Sequence, residues 1–591
     1  MKSNVDTNRI LAWRKLYISD RNFLLIVSAV VGIISGLAAV TLKAAVHTIH
    51  DRFTSDAYDE NYIQLIYPLV GLLLTIFLAK ILYRDKLGHG ITDILYSISK
   101  KSSFIAQSKM YSRMITSAIT VGFGGSAGLE SPIVLTGSAI GSNVGRYLNL
   151  NYKLRTLLIG CGTAGVISAI FNAPIAGLIF ALEVILVDVT VANLVPLLIS
   201  SVAATLVSIL LLGDDLLFSF KLVDSFSASD TPWYILLGII CGFTAVYYSV
   251  MLKWIEHQLS RVHNSYYRAL IGGVVLTLLI FICPPVYGEG YSMIIALLNG
   301  NEHELLVRSE LFEQFDIGWL FLIYTIIVIL VKAIASAITI GSGGSGGTFA
   351  PSMFLGGLTG FAVARLINLT GIGQISEINF ILVGMCGVMC GVQYAPLTAI
   401  FLIAEITGGY ILFVPLMIVS AIAFTTVYYF NPHSIYIREL VEMGEYLDKH
   451  DHDRKVLTNL KINRLIEKDF KTIHQDAMLK DLVQLISVSR RNIFPVVDDE
   501  EKLVGIVLLD DVREIMFDEK KQQSIKISKI METPPALVEF GENMESVMRK
   551  FETTQAWNLP VLKDEKYIGF VSKSRIFNLY RQQLIEQQNY V

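Results

Sequence analysis

The chain has 591 residues, more than one ordinary domain holds, with 53% hydrophobic and 17% charged residues and a formal net charge of −3. Soluble proteins carry about 25% charged residues, and the shortfall here is uneven: 49 of the last 151 residues are charged against 50 of the first 440. A wholly soluble enzyme is excluded, and the balanced signs leave no electrostatic footprint for a nucleic-acid partner.

Lys2, Arg9, Arg14, Lys15 and Arg21 precede the first apolar run, Asn22–Val46. That run is too long for the core of a signal peptide. The positive-inside rule keeps this end in the cytosol, and the polar tail, with no export signal of its own, is expected on the same side. The chain therefore reads as a multi-pass protein of the cell membrane with both termini cytosolic and the lipid bilayer as its solvent.

Further apolar segments follow at Ile63–Tyr83, Met110–Val121, Ile133–Leu148, Leu154–Ile170, Ile175–Leu186 and Val191–Leu212. After a polar stretch over Gly213–Asp230 come Trp233–Trp254, Arg268–Tyr287, Trp319–Ile340, Ser352–Leu369, Phe380–Val392, Leu397–Ile406 and Ile411–Phe430. A helix needs about 20 residues to span a bilayer, and many of these segments are shorter and bounded by glycine or proline. Interrupted helices at membrane depth need protein or water around their free backbone groups, which points to broken helices converging on a transport site. Cys161, Cys241, Cys283, Cys386 and Cys390 all fall in apolar stretches. They form no disulfide framework for the polar tail, and Cys386 and Cys390, one helical turn apart, read as small packing residues and not as a metal site.

An internal repeat places the site. Arg113–Gly141 aligns with Lys332–Gly360 at an offset of 219, with 13 of 29 positions identical. A second match at an offset of 222 pairs Ala173-Pro174 through Glu183 with Ala395-Pro396 through Glu405. The membrane part is thus a duplicated unit, with halves at about 22–215 and 233–430. Each half carries a helix with one basic residue (Arg113, Lys332), a glycine-rich loop, a proline and a new helix. Glycine allows the tight turn, and proline suits a helix's first turn. Each helix start presents unpaired N–H groups and roughly half a positive charge. Two such starts facing each other would hold a small anion on backbone dipoles without trapping it. Gly343-Gly344-Ser345-Gly346-Gly347 fits the G-x-S-x-G pattern of hydrolases. So does Gly124-Gly125-Ser126-Ala127-Gly128 in the other half, and this duplication marks a backbone motif, not an enzyme's nucleophile.

Among the positions at which the halves differ, one stands out: Glu130 corresponds to Phe349. An acid in an apolar, glycine-flanked segment is a functional candidate by default. Just before Pro132, its carboxylate would occupy the anion's place when ionised and leave it when protonated. That behaviour is a gate. Glu183 and Glu405, duplicated in place, read as structural.

These motifs resemble the CLC family of chloride channels and proton-coupled chloride exchangers, over almost the whole chain. The family's G-S-G-I-P appears as Gly88-His89-Gly90-Ile91-Thr92, its G-(K/R)-E-G-P as Gly128-Leu129-Glu130-Ser131-Pro132, and its G-x-F-x-P as Gly347-Thr348-Phe349-Ala350-Pro351. Phe171-Asn172-Ala173-Pro174 through Glu183 is similar to the family as well. The resemblance implies an all-α polytopic membrane domain with an inverted repeat of broken, short helices, spanning residues 22–440 after a cytosolic segment 1–21. It also implies a homodimer with one pore per subunit, chloride as the bound and transported ion, and no required cofactor. By position, Glu130 would be the gate, and the backbone N–H groups of Thr348 and Phe349 would bind the central anion. Tyr436 would close the cytosolic side with its hydroxyl, and Gly88, His89 and Gly90 would contribute to the anion path.

Two departures bear on mechanism. His89 replaces the usual serine, adding a donor whose charge depends on pH. Val184 stands where exchangers usually carry their inward proton-transfer glutamate, and valine cannot carry a proton. Passive conduction is the expected reading, with a chloride/proton antiporter as the alternative. A divalent-cation transporter is the rival of another class; it would need clustered carboxylates, and the intramembrane acids here are few and dispersed.

Beyond a linker at 441–455, the tail is itself duplicated. Phe494-Pro495-Val496-Val497 leading to Gly505-Ile506-Val507 parallels Leu559-Pro560-Val561-Leu562 leading to Gly569-Phe570-Val571. Short strands alternating with helical stretches indicate a small α/β unit twice over, at 456–520 and 521–591. The tail resembles a cytosolic CBS-domain pair, a module often attached to transporters and often binding adenine nucleotides. Of the nucleotide-contacting pattern G-h-h-(S/T)-x-x-D, the first copy has Asp511 but Leu508 at the hydroxyl position. The second has Ser572 but Arg575 at the acid position. Dimerisation and mechanical regulation of the pore are the expected roles.

Overall fold

The computed structural model describes residues 17–54, 65–82, 90–186, 191–213, 226–300, 317–442 and 462–588. Lys2, Arg9, Arg14, Lys15, Gly88 and His89 lie outside the described residues, as does most of the 441–455 linker. The chain forms two units, Met1–Tyr446 and Leu447–Val591.

The first unit is helical. Among its described residues, eight helices are long and apolar enough to cross a membrane. Shorter helices lie between them, among them Gly90–Lys100, Ser112–Gly122, Pro174–Phe180, Tyr291–Leu298 and Pro396–Ile406. The long helices divide by what surrounds them. Tyr152–Phe171 is 89% buried within the protein, whereas Ser265–Ile282 is only 28% buried and leaves Val274, Leu278, Phe281 and Ile282 exposed. Apolar area costs about 25 cal/mol per Å² in water, so this outer face belongs in hydrocarbon, where it costs nothing.

Without a hydrophobic drive between helices in lipid, close packing relies on small residues. Gly137 on helix Glu130–Tyr147 meets the backbone of Gly162 on helix Tyr152–Phe171. Gly356 on helix Phe349–Thr370 meets the backbone of Gly384 on helix Glu377–Gln393 in the same way. These residues are related by the offsets of 219 and 222, so the repeat reappears as one crossing built twice. Both crossings end in a left-handed residue, Asn172 at φ 52° and Tyr394 at φ 58°. Asparagine adopts that backbone readily; a tyrosine there costs roughly 1 kcal/mol or more.

The described residues of the second unit form two three-stranded sheets. In the first, β1 (Ile473–His474) pairs parallel with β2 (Ile493–Val497), which pairs antiparallel with β3 (Leu503–Leu508). In the second, β4 (Val538–Glu539), β5 (Asn558–Lys563) and β6 (Lys566–Ser572) repeat that order. The copies exchange their leading segments: Glu467, before β1, bridges Phe570 on β6, while Glu532, before β4, bridges Ile506 on β3.

Glu542 ties the loop after β4 to helix Met544–Thr554. It accepts from the Lys550 ammonium at 2.8 Å, the Ser546 hydroxyl at 2.6 Å and the Glu539 N–H at 3.0 Å. Burial opposes the ionised form, but Lys550, Ser546 and the Glu539 backbone outweigh it and hold the carboxyl below its ordinary 4.5. A lowered acid contributes stability that is complete above the ordinary value and is lost as pH falls through the lowered one. Thermal unfolding of the Glu542→Gln variant is therefore expected to lose part of the acid-side slope seen in the parent below about pH 4.5. Superimposable profiles would remove Glu542 from that role.

Candidate functional site: paired helix starts at a glycine bridge

Each glycine-rich loop leaves its helix through a left-handed glycine, Gly124 at φ 90° and Gly343 at φ 97°. The two loops then pair with each other. Gly128 N–H donates to Gly347 O at 2.9 Å, and Gly347 N–H donates to Gly128 O at 2.8 Å. A second reciprocal pair locks them: Ser126 N–H donates to Thr339 Oγ1 at 3.1 Å, and Ser345 N–H to Thr120 Oγ1 at 3.0 Å. Every partner here maps onto its counterpart at the offset of 219. The bridge thus sets the starts of helices Glu130–Tyr147 and Phe349–Thr370 face to face. A Cβ on Gly347 would stand 2.8 Å from Ser131 Cβ, so only glycine permits this approach.

Glu130 is 2% exposed at the first position of its helix. Its Oε1 accepts from the Tyr291 hydroxyl at 3.5 Å. Its Oε2 makes no well-directed hydrogen bond among the described residues and lies beside the backbone N–H of Ala350 on the facing helix. The carboxylate therefore sits between two helix starts, where unpaired N–H groups favour negative charge.

Thr348 and Phe349 form the other start. Phe349 is buried against Phe171 and Phe180, with ring centroids at 5.5 and 6.1 Å. Thr348 Oγ1 is 3.3 Å from the Tyr436 hydroxyl and accepts from Gln393 Nε2 at 3.3 Å. Tyr436 in turn donates to Gln393 Oε1. Thr92 Oγ1 donates to Tyr436 O at 3.0 Å, and a Cβ on Gly90 would lie 2.9 Å from Ser131 O. Gly90, Glu130, Thr348, Phe349 and Tyr436 are thus brought together, joined by Gln393, which no sequence motif marks.

Glu183 and Glu405 lie elsewhere and mirror each other. The Glu183 carboxylate accepts from Leu397 N–H, Thr398 N–H and Thr398 Oγ1 at 3.2, 2.9 and 2.8 Å. Glu405 accepts from Ile175 N–H and Ala176 N–H at 3.0 and 2.8 Å. Each acid caps the proline-started helix of the opposite half. Val184, beside Glu183, is half-buried against the membrane unit's core.

In the second unit, Asp511 is exposed in the short helix Leu509–Val512. The buried Ser572 donates to Glu467, whose other oxygen pairs with Arg491 at 2.5 Å. The Ser572 hydroxyl is thus already engaged by a carboxylate that Arg491 neutralises.

Sequence reasoning missed Glu289. A third repeat match could have found it, at an offset of 200: Gly88-His89-Gly90-Ile91-Thr92 against Gly288-Glu289-Gly290-Tyr291-Ser292. Gly90 opens the short helix Gly90–Lys100, and Tyr291 opens the short helix Tyr291–Leu298.

Comparison with known families decides the membrane unit: the family described as "Voltage gated chloride channel" matches residues 70–428, more than half of the chain. The chain belongs to the CLC family. Anion transport is the activity of that family, and residues 462–518 and 527–581 match the CBS domain. The chain is 25% identical to chloride channel protein CLC-f of Arabidopsis thaliana over 553 residues, 83% of this chain and 69% of the relative. It is 27% identical to the H(+)/Cl(-) exchange transporter ClcA of Vibrio cholerae over 417 residues, 67% of this chain and 84% of the relative. The crystal structure of a slow cyanobacterial Cl-/H+ antiporter is similar in fold, with a TM-score of 0.62 at 22% identity, covering 74% of this chain and 100% of that one.

Proposed function

We propose that this CLC protein conducts chloride passively through each subunit of a homodimer embedded in the cell membrane, with Glu130 as the gate and both termini cytosolic. The carrying observation is the Glu130 carboxylate between the starts of helices Glu130–Tyr147 and Phe349–Thr370. A carboxylate there competes with a free anion for the same donors; once protonated it no longer does. The N–H groups at Thr348 and Phe349 hold the central anion, Gly90 and the adjoining Gly88 and His89 contribute to its path, and Tyr436 closes the cytosolic side. CBS-pair dimerisation and mechanical control complete the reading.

Passive flow is supported by the position of Val184 and by the engagement of Glu183 with three donors. An acid locked into a helix cap is not available to relay protons. The second reading is a chloride/proton antiporter, favoured by the names of the Vibrio and cyanobacterial relatives.

Chloride-loaded proteoliposomes carrying the protein are expected to lose chloride faster as the external pH falls. Retained chloride alongside Mg²⁺ flux would sink the reading and favour a cation transporter. Tyr436→Ala removes the hydroxyl shared by Thr348 and Gln393. Chloride efflux from that variant is expected to rise several-fold, and an unchanged rate would take Tyr436 out of the closure.

A further inference from the structure

The acid just before the short helix Tyr291–Leu298 has no part in the Glu130 gate as proposed. Glu289 is partly buried between Gly288 and Gly290, and its carboxylate faces the N–H of Leu129, the residue preceding the Glu130 helix. Two residues on, the Tyr291 hydroxyl reaches Glu130 Oε1 at 3.5 Å. The charged groups around the pair come from several elements. Lys332, on helix Ile317–Gly341, is fully buried. Its ammonium donates to Val286 O at 3.2 Å and Gly288 O at 2.8 Å, and stands 4.9 Å from the Phe354 ring. Lys43, half-buried on helix Asp20–Thr54, also acts on Glu289. Tyr248 and Tyr436, on their own helices, lie within electrostatic reach of Glu130, and Glu289 lies within electrostatic reach of both Glu130 and Tyr291.

This arrangement is more than a helix cap. Glu130 Oε2 is buried and lacks a well-directed partner among the described residues, and a second carboxylate shares its surroundings. Two acids in a poorly polarisable pocket resist ionising together, and the lysines offset that repulsion. Resting on the gate reading, we propose that Glu289 acts through Glu130. The two form a carboxylate pair that takes up one proton from solution when the gate opens and returns it when the gate closes. Lys43 and Lys332 are the counter-charges that decide at what pH this happens. The contact of Glu289 with the Leu129 N–H places the effect at the start of the Glu130 helix, where the anion would bind.

Chloride flux from proteoliposomes, measured against external pH, tests this on the parent protein and on the Glu289→Gln, Lys43→Gln and Glu130→Gln variants. Removing the Glu289 charge makes ionised Glu130 easier to hold, so the midpoint is expected to move about one unit toward acid. Removing the Lys43 charge is expected to move it the opposite way. A purely structural role for Glu289 would lower the flux without moving the midpoint. Unmoved midpoints in both variants, with a flat Glu130→Gln profile, would overturn this proposal and leave the gate standing. A Glu130→Gln profile that keeps its pH dependence would overturn both. If Glu289→Gln does not fold, the Lys43→Gln midpoint decides alone, and no alkaline shift overturns the proposal.

Discussion

Glu130→Gln is expected to raise chloride flux at neutral pH by roughly tenfold or more and to flatten its dependence on external pH. On the ionised side of a titration each pH unit reduces the protonated fraction about tenfold, and the glutamine fixes the side chain in a neutral state. The size of the effect follows from the position of the carboxylate. Glu130 is buried at the first position of its helix, with Ala350 N–H of the opposite helix beside it, so under the proposed gate the ionised side chain and a chloride ion would compete for the same donors. The Gly128–Gly347 bridge keeps those donors in place in the variant. Flux that stays low and pH-sensitive would mean that another group blocks the path.

Glu183→Ala is expected to carry the largest stability cost, on the order of 3 kcal/mol, because hydrogen bonds to charged groups are worth about 1.5–3 kcal/mol each and unsatisfied buried donors add to the loss. The substitution strands Leu397 N–H, Thr398 N–H and Thr398 Oγ1 at the start of helix Pro396–Ile406. Glu405→Ala strands the matching pair, Ile175 N–H and Ala176 N–H, with a somewhat smaller cost because no hydroxyl is involved. Thermal unfolding of the purified protein in detergent measures both. A proton-carrying Glu183 would behave differently, leaving the unfolding midpoint near the parent's while altering transport. That outcome would contradict the capping role of Glu183.

The duplicated loops were legible because glycine, serine and proline at fixed places are required by backbone geometry, which constrains sequence strongly. Their alignment at the offset of 219 marked the loops as equivalent, whereas the hydrogen bonds that join Gly128 to Gly347 and Ser126 to Thr339 appear only in the fold. Helix Val191–Leu212 was placed at both ends by apolar content alone. The predicted Ser352–Leu369 segment begins three residues earlier in the fold, at Phe349, since the first turn of a helix at a loop is set by backbone pairing and not by hydropathy. Helices Gly90–Lys100 and Tyr291–Leu298 escaped the reading because 11 and 8 residues with polar positions fall below any spanning signal. The capping of each proline-started helix by an acid of the other half was equally hidden. Nothing near Glu183 in sequence marks a partner more than 200 residues away. Gln393 joined the site for a similar reason: a polar residue ending an apolar helix has many uses, and only the fold brings it to Thr348 and Tyr436.

The central claim is passive, Glu130-gated chloride conduction, and one recording tests it most directly. Proteoliposomes containing the protein are loaded with chloride, and chloride efflux and external pH are followed together, with a proton gradient imposed in a second run. Chloride leaving without stoichiometric proton movement, and unresponsive to the gradient as a driving force, is the result expected from Val184 and the engaged Glu183. Uphill chloride movement driven by the proton gradient would contradict it and establish an exchanger.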